Sequence, residues 1–589
     1  MSLTQEQREK YSELFSKYPV AISHLHQQYG KQLGIVLGAG IGKDLGFPNW
    51  KELIENIASE PMVQGEGLFS NPSMRTVTSQ MLFQLFKEHY LDTPEGKKTY
   101  NHFGDIELKK KWKRLVHDVL YKSVEDDCDQ WLRSSPYLRT LINVIKGSNT
   151  MTVTYNFDDT VEKLLHKSRT SEEKGRRGYT VVWDANVQTE KRKNIIYHPN
   201  GYLPRKISDF ASEQLIFLED SFEDQLVDSF RGHYNALNNH YSSNTCLFLG
   251  ISLEDRTLKH MLRMNAKKCY GHMHYIVQHL KNHDNDQDEA QKLLVESETK
   301  ANFETYNLYT MYLTSEEINT LLELILLPSD DFCEIRSKDE NANYQIRRYF
   351  IMGAVAVGKS TTVSQFKCFQ TFDEWLEDMP ENMEKAPSCL DDCSENAIDK
   401  WIAEQIVRKN YSLTAKTTAE RPSISIIDRT PIDAFAFFDN NLISDEEGET
   451  IEQKMRRKNE LNLEWKKKAK LHMDQHPIEK DFRLVGGKII FLQGDISEMI
   501  KRAKQKWRDY EEKDLVLQQK ELRYLATGAQ KISGNEDVVS FVDVTNKTIE
   551  QVSKEVAEII YFEKYVEADF QGILEAIRMK GRDFYDYEK

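Results

Sequence analysis

The chain has 589 residues, of which 29% are charged, and a formal net charge of −15. One hydrophobic core rarely serves so long a chain, so two or three domains are expected. The acidic balance disfavours nucleic acid and anionic lipid as partners and favours small molecules or proteins. Seven scattered cysteines, a polar start (MSLTQEQREKYSELF) and the lack of a long apolar run predict a cytoplasmic protein without disulfides or membrane spans.

The first predicted strand leads into a glycine loop. After a helical pattern over residues 1–30, GIVLGAG predicts a buried strand that ends in a turn with glycines at positions 38, 40 and 42. Such glycines let backbone N–H groups approach a phosphate, and the helix predicted from about Trp50 would add its positive end. The dinucleotide pattern G-x-G-x-x-G fails at Lys43. An ordinary strand-to-helix turn therefore remains the alternative interpretation.

Four more strand patterns follow, mostly separated by helical patterns. They are TMTVTYN (150–156), NIIYHPNG (194–201), TCLFLGIS (245–252) and HMHYIVQ (272–278). This alternation predicts a parallel sheet flanked by helices, that is, a Rossmann-like α/β domain. We assign residues 1–328 to this domain. A linker is expected over 329–346, where the sequence is polar and loses its apolar periodicity.

A second α/β domain is predicted over residues 347–589, with RRYFIM, SISIID and GKIIFLQG as strands. The first of these strands leads into GAVAVGKST, a match to G-x-x-x-x-G-K-[ST]. The residues of this loop are Gly353, Gly358, Lys359, Ser360 and Thr361. In such a loop the amides hold phosphates, the lysine neutralises phosphate oxygens and the serine presents a hydroxyl to Mg²⁺. The predicted ligand is ATP or another nucleotide with magnesium.

Charged residues follow the next strand of this domain. SISIIDRTPID ends its strand with Asp428 and Arg429, and residues 430–433 fit the start of a helix. A carboxylate and a guanidinium beside a phosphate loop can act as acceptor base or magnesium partner and as phosphate clamp. Further on, Arg502 and Lys506 lie on one helical face, for which a solvated surface is the alternative.

Together, residues 347 to about 562 resemble the P-loop deoxynucleoside and nucleotide monophosphate kinases. The resemblance implies a kinase-like fold in which the acid of an E/D-R pair is the base and basic lid residues hold the transferring phosphoryl group. By position the base is Asp428. The basic residues are Arg429, Arg502 and Arg508. Cys389 and Cys393 form one pair only, which disfavours a zinc site.

Polar residues also follow the predicted strands of the first domain, and ligands of open parallel sheets bind at such strand ends. In chain order these residues are Asn156 and Asp158, His198 and Asn200, and, after Gly250, Ser252 and Asp255. With the glycine loop they predict one pocket at the carboxyl edge of the sheet.

The elements of residues 20–330 resemble the sirtuin fold, and more closely the bacterial sirtuin-like NAD hydrolases found as effector domains in phage-defence proteins. The resemblance rests on G-A-G, T-x-N-x-D, a histidine-glycine turn, G-x-S-x-x-D and G-x-P-x-W. It implies NAD as substrate, cleaved between nicotinamide and ribose. Asn156 matches the family's required asparagine.

The resemblance also implies roles for the other residues. Asn156 would position ribose or water, Asp158 would support its amide, and His198 would orient water or a hydroxyl. The NAD contacts would come from Gly38, Ala39, Gly40, Asn49, Trp50, Gly250, Ser252 and Asp255.

Two positions depart from the family pattern. A serine usually follows G-A-G-I, where this chain has Gly42, and the catalytic histidine usually directly precedes the glycine, where this chain has Asn200. We assign the histidine role to His198 because it is the only imidazole at that strand end. The alternative is that the hydrogen bonds of His198 are all made within its own turn and that its role is structural. The chain also lacks the two C-x-x-C pairs of sirtuin deacetylases, which favours water as the acceptor.

The combined prediction is an NAD hydrolase that acts as an antiphage abortive-infection effector and is gated by a nucleotide-sensing, kinase-like domain. An ungated NAD hydrolase would poison its own cell, and full gating needs a trigger with about 10⁴-fold preference for the active state. A nucleotide or a phage-derived trigger, acting through a homo-oligomer, would supply it. Two alternatives remain: a nucleoside or nucleotide kinase regulated by a non-hydrolysing NAD or ADP-ribose binding domain, and a non-enzymatic scaffold.

Overall fold

The protein was described from a computed structural model. The described residues are 3–69, 77–169, 179–183, 195–206, 215–231, 234–280, 289–337, 346–376, 405, 408–410, 412–413, 423–433, 484–505, 510 and 512–573. The chain divides into two compact units. The amino-terminal unit comprises Glu9–Lys268 and Met273–Leu327, and the carboxy-terminal unit comprises Met1–Arg8, Cys269–His272 and Pro328–Lys589.

The amino-terminal unit is built on a seven-stranded sheet in the order β3-β4-β2-β1-β5-β6-β7, and every pair of neighbouring strands is parallel. The strands are β1 (Leu33–Leu37), β2 (Thr152–Thr154), β3 (Thr180–Val182), β4 (Ile195–Tyr197), β5 (Thr245–Leu249), β6 (His274–His279) and β7 (Leu308–Leu313). The predicted parallel α/β fold is confirmed. Central strands β1 and β5 bury every residue, as a sheet covered on both faces requires.

Helices surround this sheet. Those that start before residue 328 are α1 (Gln5–Lys17), α2 (Pro19–Gln28), α3 (Trp50–Ala58), α4 (Glu66–Phe69), α5 (Ser79–Asp92), α6 (Pro94–Phe103), α7 (Asp105–Tyr121), α8 (Cys128–Ser134), α9 (Leu138–Gly147), α10 (Thr160–Lys167), α11 (Glu219–Phe230), α12 (Asn235–Ser243), α13 (Arg256–Lys268), α14 (Glu289–Tyr306) and α15 (Ser315–Leu326), with a 3-10 helix at Ala39–Leu45. A reciprocal cap between Thr314 and Glu317 fixes the start of α15.

The carboxy-terminal unit has a five-stranded parallel sheet in the order β12-β11-β8-β10-β9. The strands are β8 (Arg347–Met352), β9 (Gln370–Phe372), β10 (Ile424–Asp428), β11 (Lys488–Gln493) and β12 (Val539–Asp543). Its helices are α16 (Ser329–Ser337), α17 (Lys359–Val363), α18 (Ile496–Gln505), α19 (Glu512–Ser533) and α20 (Ile549–Phe562), with 3-10 helices at Ser364–Phe366 and Glu536–Val538. This is the second α/β fold that the sequence predicts.

The segment expected as a linker, 329–346, is helical over its first half. Helix α16 buries Phe332 and Ile335, which lie three residues apart and therefore on one helical face. Residues 338–345 lie outside the described part of the chain. Within the described ranges, no helix is both long and apolar enough to cross a bilayer.

Candidate functional site

The glycine loop after β1 packs against the end of β5. The N–H of Gly38 donates to the carbonyl oxygen of Leu249 at 2.9 Å, and the N–H of Gly40 donates to that of Gly250 at 3.0 Å. A Cβ on Gly38 would lie 2.5 Å from the Gly250 carbonyl oxygen, and one on Gly40 would lie 2.7 Å from the Gly250 Cα. Close approach of two main chains therefore explains both glycines without a ligand.

Gly40→Ala is expected to destabilise the protein by about 1–3 kcal/mol, because the new methyl group would force the main chain at Gly250 to move. Gly67→Ala is the matched control, since a Cβ there meets nothing within 4 Å. Thermal and chemical denaturation of both variants measure the difference. Equal stability of the two would contradict the close contact.

One amide of the glycine loop has no acceptor within the described part of the chain. Ala39 and Gly40 are exposed, and the N–H of Ile41 turns back to the Gly38 carbonyl oxygen. No acceptor among the described residues contacts the N–H of Ala39. The loop thus offers one main-chain donor to a ligand at the carboxyl edge of the sheet, next to the end of β2.

Asn156 follows β2 and is half-buried beside this loop. Its Nδ2 donates to the carbonyl oxygen of Gly38 at 3.1 Å. A carbonyl oxygen accepts only from the NH₂ side of an amide, so this bond fixes which way the side chain faces. The amide oxygen has no partner within the part of the chain that the structure describes. Asn156 therefore presents a fixed acceptor beside the glycine loop.

His198 lies behind Asn156 and is fully buried at the end of β4. Its Nδ1 lies 2.8 Å from the main-chain oxygen of Asn156, and its Nε2 lies 2.7 Å from Oε1 of Glu162. Burial by itself lowers the pKa of His198, but the Glu162 carboxylate and the Asn156 carbonyl outweigh it and raise the pKa above its ordinary value. Both ring nitrogens are occupied, so this arrangement does not offer His198 to water or a ribose hydroxyl.

Asp158 is buried at the start of α10, where its Oδ1 accepts from the N–H of Thr160 at 3.0 Å. Asp158 therefore caps this helix, and the Asn156 amide that it was expected to support is bonded to Gly38 instead. Burial raises the pKa of Asp158 to about 6.

Asp158→Asn is expected to stabilise the protein at pH 8 and to leave its stability unchanged near pH 4. The ordinary pKa of 3.8 rises to about 6 in the fold, so ionisation costs folding energy as pH rises through this window. The penalty reaches about 3 kcal/mol above pH 6, and the amide keeps the bond from Thr160 without it. Thermal unfolding across pH measures this; a stability difference that does not change with pH would contradict it.

The end of β5 is shaped by a glycine and a helix cap. Gly250 has a φ of +68°, which favours glycine. Asp255 accepts from the N–H of Leu258 at 2.8 Å and so caps α13, and its carboxylate is also hydrogen-bonded by the Asn200 side chain. Ser252 is exposed between them. Of this predicted set, Ser252 is the side chain open to a ligand.

The GFPNW segment starts helix α3. Asn49 accepts from the N–H of Glu52 at 2.9 Å, and the Glu52 carboxylate accepts from the N–H of Asn49 at 2.8 Å. The Asn49 side chain is thus engaged in a capping box at the start of α3. Trp50 is 39% exposed and packs against the rings of Phe217 and Phe222. A local helix start explains both residues without NAD.

In the carboxy-terminal unit, the phosphate loop lies between β8 and α17. Gly353 and Gly358 have φ angles of +153° and +116°, which residues other than glycine rarely adopt. Lys359 is buried, and its Nζ donates to the carbonyl oxygen of Ala354 at 3.0 Å. Burial, helped by the nearby Arg429, lowers the pKa of Lys359 to about 8. An incoming phosphate would therefore meet a lysine held inside its own loop.

Ser360 and Asp428 meet beside this loop. The Oγ of Ser360 donates to Oδ2 of Asp428 at 2.6 Å, while Thr361 lies half-buried next to it. Asp428 is fully buried, and its Oδ1 has no hydrogen-bond partner among the described residues. A serine hydroxyl beside an unpartnered carboxylate oxygen fits Mg²⁺ that carries nucleotide phosphates. Of the two roles predicted for Asp428, this geometry favours magnesium partner over acceptor base.

A pocket enclosing about 470 Å³, part of it open to solvent, adjoins the end of β10. Phe350, Trp375 and Leu413 form apolar walls, and Glu374 and Arg429 provide charge. The Nε of Arg429 donates to Oε1 of Glu374 at 2.6 Å. Burial would raise the pKa of Glu374, but Arg429 outweighs it and lowers that pKa. An ionised carboxylate therefore faces a cavity beside the phosphate loop.

Lys409 joins the ends of two strands. Its Nζ donates to the main-chain oxygens of Asp373 at 2.5 Å, Glu374 at 2.7 Å and Asp428 at 3.0 Å. Three acceptors use all three ammonium protons. Burial lowers the pKa of Lys409 to about 8. This lysine fixes the segment that carries Glu374 against β10.

Arg502 lies on α18 near the phosphate loop. One guanidinium nitrogen is 3.4 Å from the carbonyl oxygen of Val357, and another is 3.2 Å from Glu498. The N–H of Val355 donates to the side-chain oxygen of Gln518 at 2.7 Å.

Four residues named in the sequence analysis lie outside the described part of the chain: Lys506, Arg508, Cys389 and Cys393. Among those that are described, no group of three or more His, Cys, Asp or Glu could hold a metal ion by itself.

Comparison with known proteins identifies part of the amino-terminal unit. The family model of the SIR2-like domain matches residues 150–308. This chain carries a SIR2-like domain. The match includes Asn156, His198 and Asp255 and begins after the glycine loop. No curated protein matches the chain. Among solved structures, the crystal structure of EHV4-TK complexed with TP4A is similar at 13% identity over 41% of this chain and 98% of that chain, with a TM-score of 0.24.

Sequence reasoning missed three residues that the structure brings into these sites. Glu162 of the SIR2-like domain pairs with His198, Glu374 lines the pocket, and Lys409 holds the strand ends. Glu162 looks in sequence like an ordinary acid in the first turn of a helix. Glu374 follows β9, a three-residue strand that the sequence pattern does not reveal.

Proposed function

We propose that the protein hydrolyses NAD to nicotinamide and ADP-ribose and that Asn156 of the SIR2-like domain is the central residue of the site. The observation that carries the proposal is the fixed amide of Asn156, whose oxygen is presented beside the glycine loop. SIR2-like domains bind NAD, and the carboxyl edge of a parallel sheet is where such a ligand binds.

The chemistry suits a fixed amide oxygen. As neutral nicotinamide leaves, positive charge develops on the ribose, and water then adds to the same carbon and loses a proton. A preorganised acceptor can stabilise that charge or hold the water. The N–H of Ala39 is the loop's available donor for the pyrophosphate, and Ser252 is an accessible hydroxyl for the adenosine side.

We further propose that a nucleotide controls this activity from the carboxy-terminal unit. Lys359 would neutralise its phosphates, and Ser360 with Asp428 would hold its magnesium ion. Arg429, Arg502 and Arg508 remain proposed phosphate contacts. The biological role proposed is antiphage defence by NAD depletion, with a nucleotide or phage-derived trigger and a homo-oligomer as the active form.

The test is direct. Full-length protein is incubated with NAD, with and without ATP or deoxynucleotides plus magnesium, and nicotinamide is followed by chromatography while oligomeric state is measured by light scattering. We expect nicotinamide release that changes with nucleotide. Nicotinamide release that is the same with every nucleotide would contradict the gating proposal. No nicotinamide release under any condition would contradict the hydrolase proposal.

The pocket beside Glu374 favours a second candidate, phosphoryl transfer to an acceptor hydroxyl. Here the ionised Glu374 would take the hydroxyl proton and Arg429 would hold the phosphoryl group. Glu374→Gln is expected to lower phosphate transfer from ATP to a panel of nucleosides and nucleotides by about 100-fold, the usual contribution of a general base. Unchanged transfer in this variant, or none in the wild type, would exclude this candidate.

A further inference from the structure

The proposed function leaves the His198–Glu162 pair without a purpose. Both side chains are buried, with 0% and 3% exposure. Burying an ion pair costs desolvation energy, and an apolar pair of similar size could fill the same space. The remaining carboxylate oxygen of Glu162 is buried without a partner among the described residues. Such a pair therefore calls for an explanation beyond packing.

The contacts fix where the protons of the pair lie. Nδ1 of His198 faces the main-chain oxygen of Asn156 at 2.8 Å, and this oxygen has no proton to give, so Nδ1 donates. Nε2 faces Oε1 of Glu162 at 2.7 Å. A proton must lie between these two atoms, and the pKa of His198 is raised above its ordinary value, so Nε2 donates as well. The ring is an imidazolium with both N–H groups engaged.

We infer that the pair positions Asn156: His198 holds the main-chain oxygen of Asn156, and Glu162 holds the imidazolium. The side chain of Asn156 is held separately by the carbonyl oxygen of Gly38. The residue is thus fixed from two sides, and its amide oxygen keeps one direction. His198 is a positioning residue and not a catalytic one, and Glu162 is a second positioning residue. The inference rests on the proposed cleavage of NAD at Asn156.

Two substitutions at position 198 separate positioning from imidazole chemistry. The amide nitrogen of asparagine reaches about where Nδ1 of histidine lies, so His198→Asn keeps a donor for Asn156, whereas His198→Leu removes it. We expect His198→Asn to keep kcat for nicotinamide release within about tenfold of wild type. His198→Leu is expected to lose about 100-fold, the effect of a misplaced group, with KM for NAD unchanged in both. His166→Asn, at an exposed histidine of α10, is the control.

Imidazole acid-base chemistry predicts a different pattern. The two variants would then be equally inactive although folded, and the wild-type pH profile would contain a limb that His198→Asn removes. The groups facing the ring are Glu162 of α10, Asp158 of the preceding loop and Tyr202 after β4. Under the positioning inference, the pH profiles of wild type and His198→Asn have the same shape.

Two substitutions at position 162 test the second positioning residue. Glu162→Gln, whose NH₂ can donate to Nε2 of a neutral ring, is expected to keep most of kcat, while Glu162→Leu is not.

One measurement does not depend on NAD cleavage. Long-range proton–nitrogen spectra of the full chain labelled with ¹⁵N-histidine report the ring state, with the signal of His198 assigned by its loss in His198→Asn. We expect both nitrogens to be protonated at pH 7. A ring without a proton on Nδ1 would overturn the inference even if NAD is cleaved. If the wild type cleaves no NAD but the ring is doubly protonated, the proposed function fails and the structural pairing stands.

Discussion

Asn156→Ala is expected to lower kcat for nicotinamide release by about 100-fold or more, the loss that follows removal of one preorganised electrostatic group. The variant loses the amide oxygen that faces the site and the donor to Gly38 that fixes its direction. Fold and nucleotide binding should remain, because Asn156 is only half-buried. Chromatography of nicotinamide, together with a thermal melt of the same sample, measures both.

Asn149→Ala is the matched control. Asn149 also donates from Nδ2 to a glycine carbonyl oxygen, that of Gly30, but it is exposed and precedes β2, at the opposite edge of the sheet. This control should cleave NAD as wild type does. Full activity in Asn156→Ala would exclude the proposed site, and equal loss in both variants would indicate a general effect on the fold.

Lys359→Ala is expected to weaken binding of ATP by about 10- to 100-fold, since the ammonium group makes charged hydrogen bonds to phosphate oxygens. If nucleotide controls NAD cleavage, nicotinamide release in this variant should no longer respond to added nucleotide. Calorimetry with ATP and magnesium measures the first effect, and the nicotinamide assay with and without nucleotide measures the second.

Lys367→Ala provides the comparison, because Lys367 is exposed in the segment after the phosphate loop. The pair of variants also separates the candidate functions. A hydrolase gated by nucleotide loses activity in Asn156→Ala and loses control in Lys359→Ala. A kinase regulated by NAD binding loses phosphate transfer in Lys359→Ala and keeps it in Asn156→Ala.

Most strands were predictable from the sequence, but β3, β7, β9 and β12 were missed. GIVL and TCLFL are buried along their whole length, so their composition reveals them. Strands β3 and β9 have three residues each, which is too short for a period to be visible. Strands β2 and β4 are equally short, but they lie within the longer strand patterns TMTVTYN and NIIYHPNG. Strand β12 buries only Val539 and Val542 and lies between charged helices, so its pattern is weak. Such strands exist because a neighbouring strand offers hydrogen bonds, which is a tertiary effect.

The sequence predicted the parts of the candidate site that lie at the ends of strands. It did not predict which side chains hydrogen-bond to one another there. Asn156 directly follows β2 in the sequence, so knowing the fold is enough to predict that it lies at the carboxyl edge of the sheet. The contact between His198 and Glu162 joins residues 36 apart in sequence, and the capping role of Asp158 depends on where α10 begins. The glycines of the first loop suggest a ligand, yet main-chain contact with Gly250 already accounts for them.

If a trigger controls NAD cleavage as proposed, that main-chain contact limits where the amino-terminal unit can change. Two hydrogen bonds and a space too narrow for a methyl group tie the first loop to the end of β5, so this seam is expected to move as one rigid piece. A movement that admits a ligand is therefore expected on the other side of this loop, at the residue after β2. A trigger would then act by loosening or tightening the hold on the residue after β2, without separating the two loops.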